Sequence, residues 1–224
     1  MFDYRVISIG ALSSHPLWNE PPGLRTPHAT TTLIRSADKI ILVDPALPPQ
    51  AIAARLFERS GLRPNQVTDV FLTHFRPAHR AGLPAFENAK WWISEAEREA
   101  VGAHLVTQLD RAPDEETRDL LEREIALLQR CKPAPDKLAP QVDLFPLPGY
   151  TPGTTGLLLP LPTATIIIAS DAIPTVEHLE RGQILAGAYD VEPAMESFKE
   201  AVEIADWIIP GHDNITPNLT RRGL

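Results

Sequence analysis

Polar side chains with metal-binding chemistry follow three apolar segments of the sequence. His74 and His79 come after the segment VFLT, Asp171 follows IIIAS, and His212 follows WIIPG. Ligand-binding and catalytic groups tend to collect at the ends of strands. Imidazole nitrogen and carboxylate oxygen suit a borderline divalent ion such as zinc. These four residues therefore form a candidate metal site, although their spacing does not define its geometry.

The elements that must position these side chains are strands followed by helices in both halves of the chain. Helical periodicity predicts helices over 50–60, 114–130 and 193–205, and Ser94 and Asp114 are suited to cap helices. Apolar and β-branched segments predict strands over 4–9, 29–34, 39–43, 67–73, 90–93, 142–146, 155–159, 165–169 and 207–209. This order favours one layered α/β or α+β domain over residues 1–224, with its sheets covered by helices.

Composition narrows the class of protein. Of the 224 residues, 43% are hydrophobic and 22% are charged, which excludes a disordered chain. The net charge of −8 argues against nucleic acid or an anionic membrane as a partner. Cys131 is the single cysteine, the start of the chain lacks a signal-peptide pattern, and the longest apolar runs are too short to span a membrane. We therefore expect a cytoplasmic protein that binds a small molecule, with its oligomeric state left open.

Five segments, taken in order, resemble the metallo-β-lactamase superfamily over nearly the whole chain. The last of them lies in a tail that looks most like the lactonase and glyoxalase II side of that family. The segments are ATTTLIRSADKIILVDPAL, VTDVFLTHFRPAHRAGL, FPLPGYTPGTTGLLL, IIIASDAI and DWIIPGHD. The resemblance implies a four-layer αββα sandwich with one or two metal ions between the sheet edges. It also implies hydrolysis by a metal-activated water, as in most members of the family.

The sequence departs from the family's main motif, His-x-His-x-Asp-His. It retains the outer histidines, His74 and His79, but has Arg76 in place of the middle histidine and Ala78 in place of the aspartate. In a second motif, Thr154 replaces a ligand histidine. A guanidinium group does not ligate metal ions. The resemblance therefore implies a degenerate metal site.

The two metal positions of the family keep different numbers of ligands here. The first position retains only His74 and Asp171, so we expect it to be empty or very weak. The second retains His79, Asp171 and His212, and three protein ligands plus water make a reasonable catalytic site. We therefore predict a single divalent ion on these three residues, with His74 as a fourth ligand if the loop geometry allows. Zinc is the first expectation, with iron or manganese as alternatives.

Three functions follow from this site. The first is a metal-dependent hydrolase of ester, lactone or thioester bonds, in which Arg76 steadies an anionic substrate group or the developing oxyanion. Tyr150 could donate a hydrogen bond in the same site, or could simply pack there. The second is a catalytically silent protein without metal, in which an Arg76–Asp171 pair replaces the ion and an anionic small molecule or a protein partner binds. The third is a mononuclear iron oxidative enzyme.

The remaining histidines are expected outside the metal site. His15 lies in a proline-rich loop that could line a substrate entrance. His104 and His178 fall in helix and loop contexts where we expect them to be exposed to solvent.

Overall fold

The first half of the chain builds a mixed six-stranded sheet with the strand order β1-β2-β3-β4-β5-β6. The structure is a computed structural model that describes residues 2–220, so residue 1 and residues 221–224 of the predicted domain lie outside the described range. Strands β1 to β3 pair antiparallel, and β3 to β6 pair parallel. The strands are β1 (Phe2–Ser8), β2 (Thr31–Ser36), β3 (Lys39–Val43), β4 (Asp69–Leu72), β5 (Lys90–Ile93) and β6 (Cys131–Pro133).

The second half builds another six-stranded sheet, in the order β12-β11-β10-β9-β8-β7. Only β10 and β11 pair parallel in it, and the other neighbours are antiparallel. The strands are β7 (Lys137–Ala139), β8 (Val142–Pro146), β9 (Thr155–Leu161), β10 (Ala164–Ser170), β11 (Trp207–Pro210) and β12 (Thr216–Pro217).

Helices cover the outer faces of both sheets. Their N-caps follow the expected chemistry, since Ser94 accepts a hydrogen bond from the Glu97 amide and Asp114 accepts one from the Thr117 amide. The helices are α1 (Pro49–Ser60), α2 (Pro77–Arg80), α3 (Glu95–Asp110), α4 (Glu115–Arg130), α5 (Val176–Arg181) and α6 (Val191–Ile204).

Three apolar clusters separate the layers, because successive side chains of a strand point to opposite faces. Ile41 and Phe71 face the other sheet, whereas Leu42 and Val70 face α1, α3 and α4. In the second sheet, Ile167 faces the helical layer that contains Phe198 of α6. The layers are thus helix, sheet, sheet and helix, and the predicted αββα sandwich is confirmed.

The parallel strand pairs bring the polar segments together, since their carboxyl ends lie side by side. β3 and β4 run parallel, so Asp44 and Thr73 emerge next to each other. β10 and β11 run parallel, so Asp171 and His212 emerge next to each other at the edge of the second sheet.

The predicted strands and helices differ from the observed ones mainly by one or two residues at their ends. Three short strands, β6, β7 and β12, were not predicted, because a segment of two or three residues is too short to show the alternation of apolar and polar residues that indicates a strand. Within residues 2–220, no helix is both long and apolar enough to cross a membrane.

Candidate metal centre

Asp171 is the centre of a buried group of three histidines between the two sheets. Its Oδ2 lies 3.0 Å from His74 Nε2 and 3.3 Å from His79 Nε2, and its Oδ1 lies 2.9 Å from His212 Nε2. All four residues are buried. The structure thus brings together all four residues that the sequence singles out as metal ligands.

Two of these close approaches are not aligned as hydrogen bonds. His79 Nε2 and Asp171 Oδ1 are both buried without a hydrogen-bond partner in the structure. Buried polar atoms normally have a partner, so each such exception needs an explanation. Donor atoms that converge without bonding to one another fit a cation, and the nitrogen and carboxylate donors suit zinc. Ligand atoms of His74, His79 and Asp171 all lie within 4.8 Å of one another.

The outer nitrogens of two histidines are fixed by hydrogen bonds. His79 Nδ1 donates to Asp44 Oδ2 at 2.9 Å, and His212 Nδ1 donates to the carbonyl oxygen of His28 at 2.9 Å. With the proton on Nδ1, the Nε2 lone pair of each neutral ring is free for a ligand. A carboxylate or carbonyl behind a histidine is the usual support of a metal-ligating imidazole.

His74 differs from the other two histidines in its hydrogen bonding. The Arg76 amide donates to His74 Nδ1 at 3.3 Å, which assigns the proton of the neutral ring to Nε2. That nitrogen then donates to Asp171 Oδ2 at 3.0 Å. In this state His74 orients the carboxylate, and ligation through Nε2 would require its ring to change tautomer.

The charges within the site stabilise one another. Burial by itself would raise the pKa of Asp171, but His212 and His79 hold it well below its usual range. Burial by itself would lower the pKa of His79, but Asp44 and Asp171 raise it to about 10. Burial, together with the charge of His79, lowers the pKa of His74. A proton on His79 therefore balances the carboxylates in the metal-free protein, and a bound cation can take over that role.

The backbone at the strand ends has an unusual conformation that aims these side chains. Asp44, directly after β3, and Ser170, the last residue of β10, have φ angles of +47° and +51°. Such conformations are uncommon for residues other than glycine and concentrate at functional sites. Gly211 permits close packing beside the carboxylate, since a Cβ there would lie 2.5 Å from Asp171 Oδ1.

Arg76 pairs with Tyr150 rather than with Asp171, so the predicted Arg76–Asp171 ion pair is wrong. The Arg76 Nη1 donates to the Tyr150 hydroxyl at 2.6 Å, and its guanidinium carbon lies 4.0 Å from the centre of the ring. Burial, together with the negative charge of Asp171, raises the pKa of Tyr150. The physical reason is position, because Arg76 is exposed directly before α2, whereas Asp171 is buried.

Thr154, which replaces a family ligand, takes part in a hydrogen-bond network outside the metal centre. Its hydroxyl accepts from the Thr151 amide at 3.0 Å and lies 2.6 Å from the Thr151 hydroxyl. Thr151 donates to the buried carboxylate of Glu97 at 2.6 Å. Glu97 also accepts from the backbone amides of Phe75 and Gly153, at 3.0 and 3.1 Å. This carboxylate therefore ties the two loops of the site to α3.

Asp44 and Glu97 are the supporting residues that sequence reasoning missed. Asp44 directly follows the predicted strand 39–43 and precedes a proline, and a carboxylate in that position was the available signal. The prediction that His178 is exposed is also wrong. His178 is buried in α5, with Nδ1 2.9 Å from the Thr175 hydroxyl that caps this helix. His104 is exposed as expected, and His15 is buried against Thr175 and Glu177.

Comparison with known proteins agrees with this architecture. The model of the metallo-beta-lactamase superfamily matches residues 25–212. No curated protein matches the chain in sequence.

Solved structures show the same fold at low sequence identity. A Thermotoga maritima protein, described as a candidate metallo-beta-lactamase, is 17% identical, with a TM-score of 0.70 over 96% of this chain and 99% of that chain. A variant of Bacillus thuringiensis AiiA, with N-decanoyl-L-homoserine bound at its active site, is 21% identical. Its TM-score is 0.64 over 95% of this chain and 92% of that chain. AidC, a dizinc quorum-quenching lactonase, is 21% identical, with a TM-score of 0.60 over 78% of this chain and 67% of that chain.

Proposed function

Because this chain belongs to the metallo-beta-lactamase superfamily, we propose that it is a hydrolase of ester, lactone or thioester bonds that uses a single divalent metal ion. The observation that carries the proposal is the convergence of His79, His212 and Asp171. Their inner atoms approach one another, yet His79 Nε2 and Asp171 Oδ1 have no hydrogen-bond partner. Two imidazole nitrogens and a carboxylate suit a catalytic ion, and ligand atoms of His74, His79 and Asp171 lie within 4.8 Å of one another.

The ligands we assign are His79, His212 and Asp171, with His74 as the residue that orients the carboxylate or joins as a fourth ligand. The first family position lacks two of its four ligands, since Arg76 and Thr154 stand in their places, and these residues bond to Tyr150 and Thr151 instead. Zinc suits this donor set best, and iron and manganese remain chemical alternatives. A bound zinc ion would supply an activated water by lowering its pKa towards about 7.

The protein's own groups can stabilise charge that develops on the substrate. The Tyr150 hydroxyl stays protonated at neutral pH, because burial and Asp171 raise its pKa. It is therefore a hydrogen-bond donor at the edge of the centre, next to the ring of His74. A donor in this place suits a carbonyl oxygen that gains negative charge. Arg76 Nη1 donates a hydrogen bond to the Tyr150 hydroxyl oxygen at 2.6 Å and so holds the hydroxyl in place.

Two of the solved complexes suggest which substrates to test first. The AiiA variant holds N-decanoyl-L-homoserine, and the lactonase AidC holds the product N-hexanoyl-L-homoserine. We therefore propose N-acyl homoserine lactones and simple thioesters as the first screening set.

The experiment combines metal analysis with turnover. Protein produced with supplemented zinc, iron and manganese, and purified without chelator or histidine tag, should contain about one ion per chain. His212→Ala should lose both the ion and the hydrolysis of the screening set. The matched control is His104→Ala, because His104 is an exposed histidine outside the centre.

Two outcomes would contradict the proposal. One is a protein without metal above background, which would favour a silent protein that binds an anionic ligand. The other is full turnover in His212→Ala. An ion that analysis identifies as iron, together with oxygen consumption and no hydrolysis, would replace the hydrolase with an oxidative enzyme.

A further inference from the structure

A cavity of about 630 Å³ opens beside the metal centre, between the loop that carries Arg76 and helices α3 and α4. Its size falls within the range of small-molecule sites, roughly 300–1,000 Å³. Arg76, two residues after His74, lines it on one side, and Thr151, next to Tyr150, lines it on another. The cavity is thus adjacent to the centre without containing the proposed metal ligands.

Of the two arginines in the cavity wall, Arg76 is the one without a carboxylate partner among the described residues. Arg80 pairs with Glu124, and the buried Glu97 accepts hydrogen bonds from Phe75, Thr151 and Gly153. Arg76 is exposed and makes hydrogen bonds to Tyr150 alone, through Nη1 at 2.6 Å and Nη2 at 3.4 Å. No described carboxylate lies within ion-pairing distance of its guanidinium, whose Nε has no partner within residues 2–220. The wall therefore presents one guanidinium without an ion-pair partner, although the charges of its two arginines and two glutamates sum to zero.

The rest of the wall is largely apolar. Val101, Ala100 and Pro152 line it, and Tyr189 stands at its rim with 73% of its surface exposed. The Tyr189 amide donates to the Tyr150 carbonyl at 3.2 Å, which ties this aromatic residue to the same loop. An exposed ring beside an apolar wall suits an apolar or aromatic body.

We propose that this cavity binds the acid-bearing part of the substrate, a carboxylate on an apolar or aromatic body, with Arg76 as the residue that recognises the acid. A guanidinium forms paired hydrogen bonds with a carboxylate, which gives orientation as well as affinity. The link to hydrolysis rests on the proposed function, whereas binding of the acid does not require turnover. This substrate class is narrower than esters, lactones and thioesters in general.

The test uses a matched pair of probes, 4-phenylbutanoate and its neutral amide, titrated into the zinc-loaded protein by calorimetry. The acid should bind about tenfold or more tightly than the amide, since hydrogen bonds to charged groups are the stronger ones. Arg76→Gln should lower the affinity for the acid to that for the amide. Arg123→Gln is the matched control, because it removes the same charge from an exposed position of α4 outside the cavity.

A second variant and a second condition keep the test independent of the metal. Ala100→Phe fills the cavity with Arg76 intact, and it should weaken both probes. Because a carboxylate can also bind zinc, the titrations are repeated after chelation, where the preference for the acid and its loss in Arg76→Gln should persist. Equal affinity for the two probes would overturn the proposal. The proposal would also be overturned if the preference for the acid disappeared when zinc is removed but survived in Arg76→Gln. Failure of the hydrolase assay alone would leave this binding result intact.

Discussion

Asp44 and His79 form a buried hydrogen bond of 2.9 Å between Oδ2 and Nδ1, and this bond connects the end of β3 to the metal centre. The same carboxylate accepts from the amide and the hydroxyl of Thr73, at 2.9 and 2.7 Å. Asp44 therefore fixes both the tautomer of His79 and the start of the loop that carries it.

Substitution of Asp44 by asparagine should weaken zinc binding by about 10–100-fold, the usual effect of losing a carboxylate behind a histidine ligand. Zinc affinity is measured by competition with a chromogenic chelator. The control is Asp69→Asn, which removes a buried carboxylate of β4 that bonds instead to the Trp92 indole. Equal losses of affinity in the two variants would contradict a specific role of Asp44.

A methyl group at Gly211 should disrupt the centre. The added Cβ would lie 2.5 Å from Asp171 Oδ1 and 2.8 Å from the Ser170 carbonyl carbon, so the carboxylate or the backbone must move. We expect Gly211→Ala to lower zinc occupancy and the melting temperature together. Gly102→Ala is the control, because its Cβ would meet only Leu128 Cδ2 at 3.7 Å within α3. The control should be neutral or stabilising by up to about 1 kcal/mol, and normal zinc occupancy in Gly211→Ala would contradict the prediction.

Replacement of Glu97 by glutamine should destabilise the fold by about 1–3 kcal/mol, since an amide nitrogen cannot accept the hydrogen bonds that a carboxylate oxygen accepts. The three donors come from both loops of the site. Urea unfolding measures the change in free energy. Glu95→Gln, at an exposed position in the first turn of the same helix, should cost at most about 0.3–1 kcal/mol. Equal effects of the two variants would show that Glu97 does not tie the loops.

Acid should destabilise the protein in part through His178. Burial and the charge of His15 lower the pKa of His178 to about 4, whereas the unfolded chain has the ordinary value of about 6.5. The unfolded state therefore binds more protons between these values, so this contribution to stability is lost as the pH falls from about 6.5 to about 4.

The His178→Gln variant isolates this contribution. Its free energy of unfolding should depend less on pH in that window, by about 1–3 kcal/mol at most. Urea titrations of the metal-free protein at several pH values measure the difference. The exposed His104→Gln variant should retain the wild-type slope, and an unchanged slope in His178→Gln would contradict the assignment.

Local pattern allowed much of the fold to be predicted from the sequence. β3, β5 and β8 begin and end where the apolar runs do, and Ser94 and Asp114 cap helices as their side chains suggest. The short strands β6, β7 and β12 were not predicted, because their conformation depends on the strands they pair with rather than on their own residues.

The sequence by itself determined the four candidate ligands, since residue type at strand ends indicates them, and the order of its strands and helices determined a layered α/β or α+β domain. The αββα sandwich followed from the resemblance of five segments to the metallo-β-lactamase superfamily. Only the tertiary structure decided where Arg76 goes. Its side chain lies over Tyr150 and not on Asp171, because the direction of a long side chain depends on neighbours that are distant in the sequence. The supporting roles of Asp44 and Glu97 could not be predicted for the same reason, because their hydrogen-bond partners lie 22 to 56 residues away along the chain.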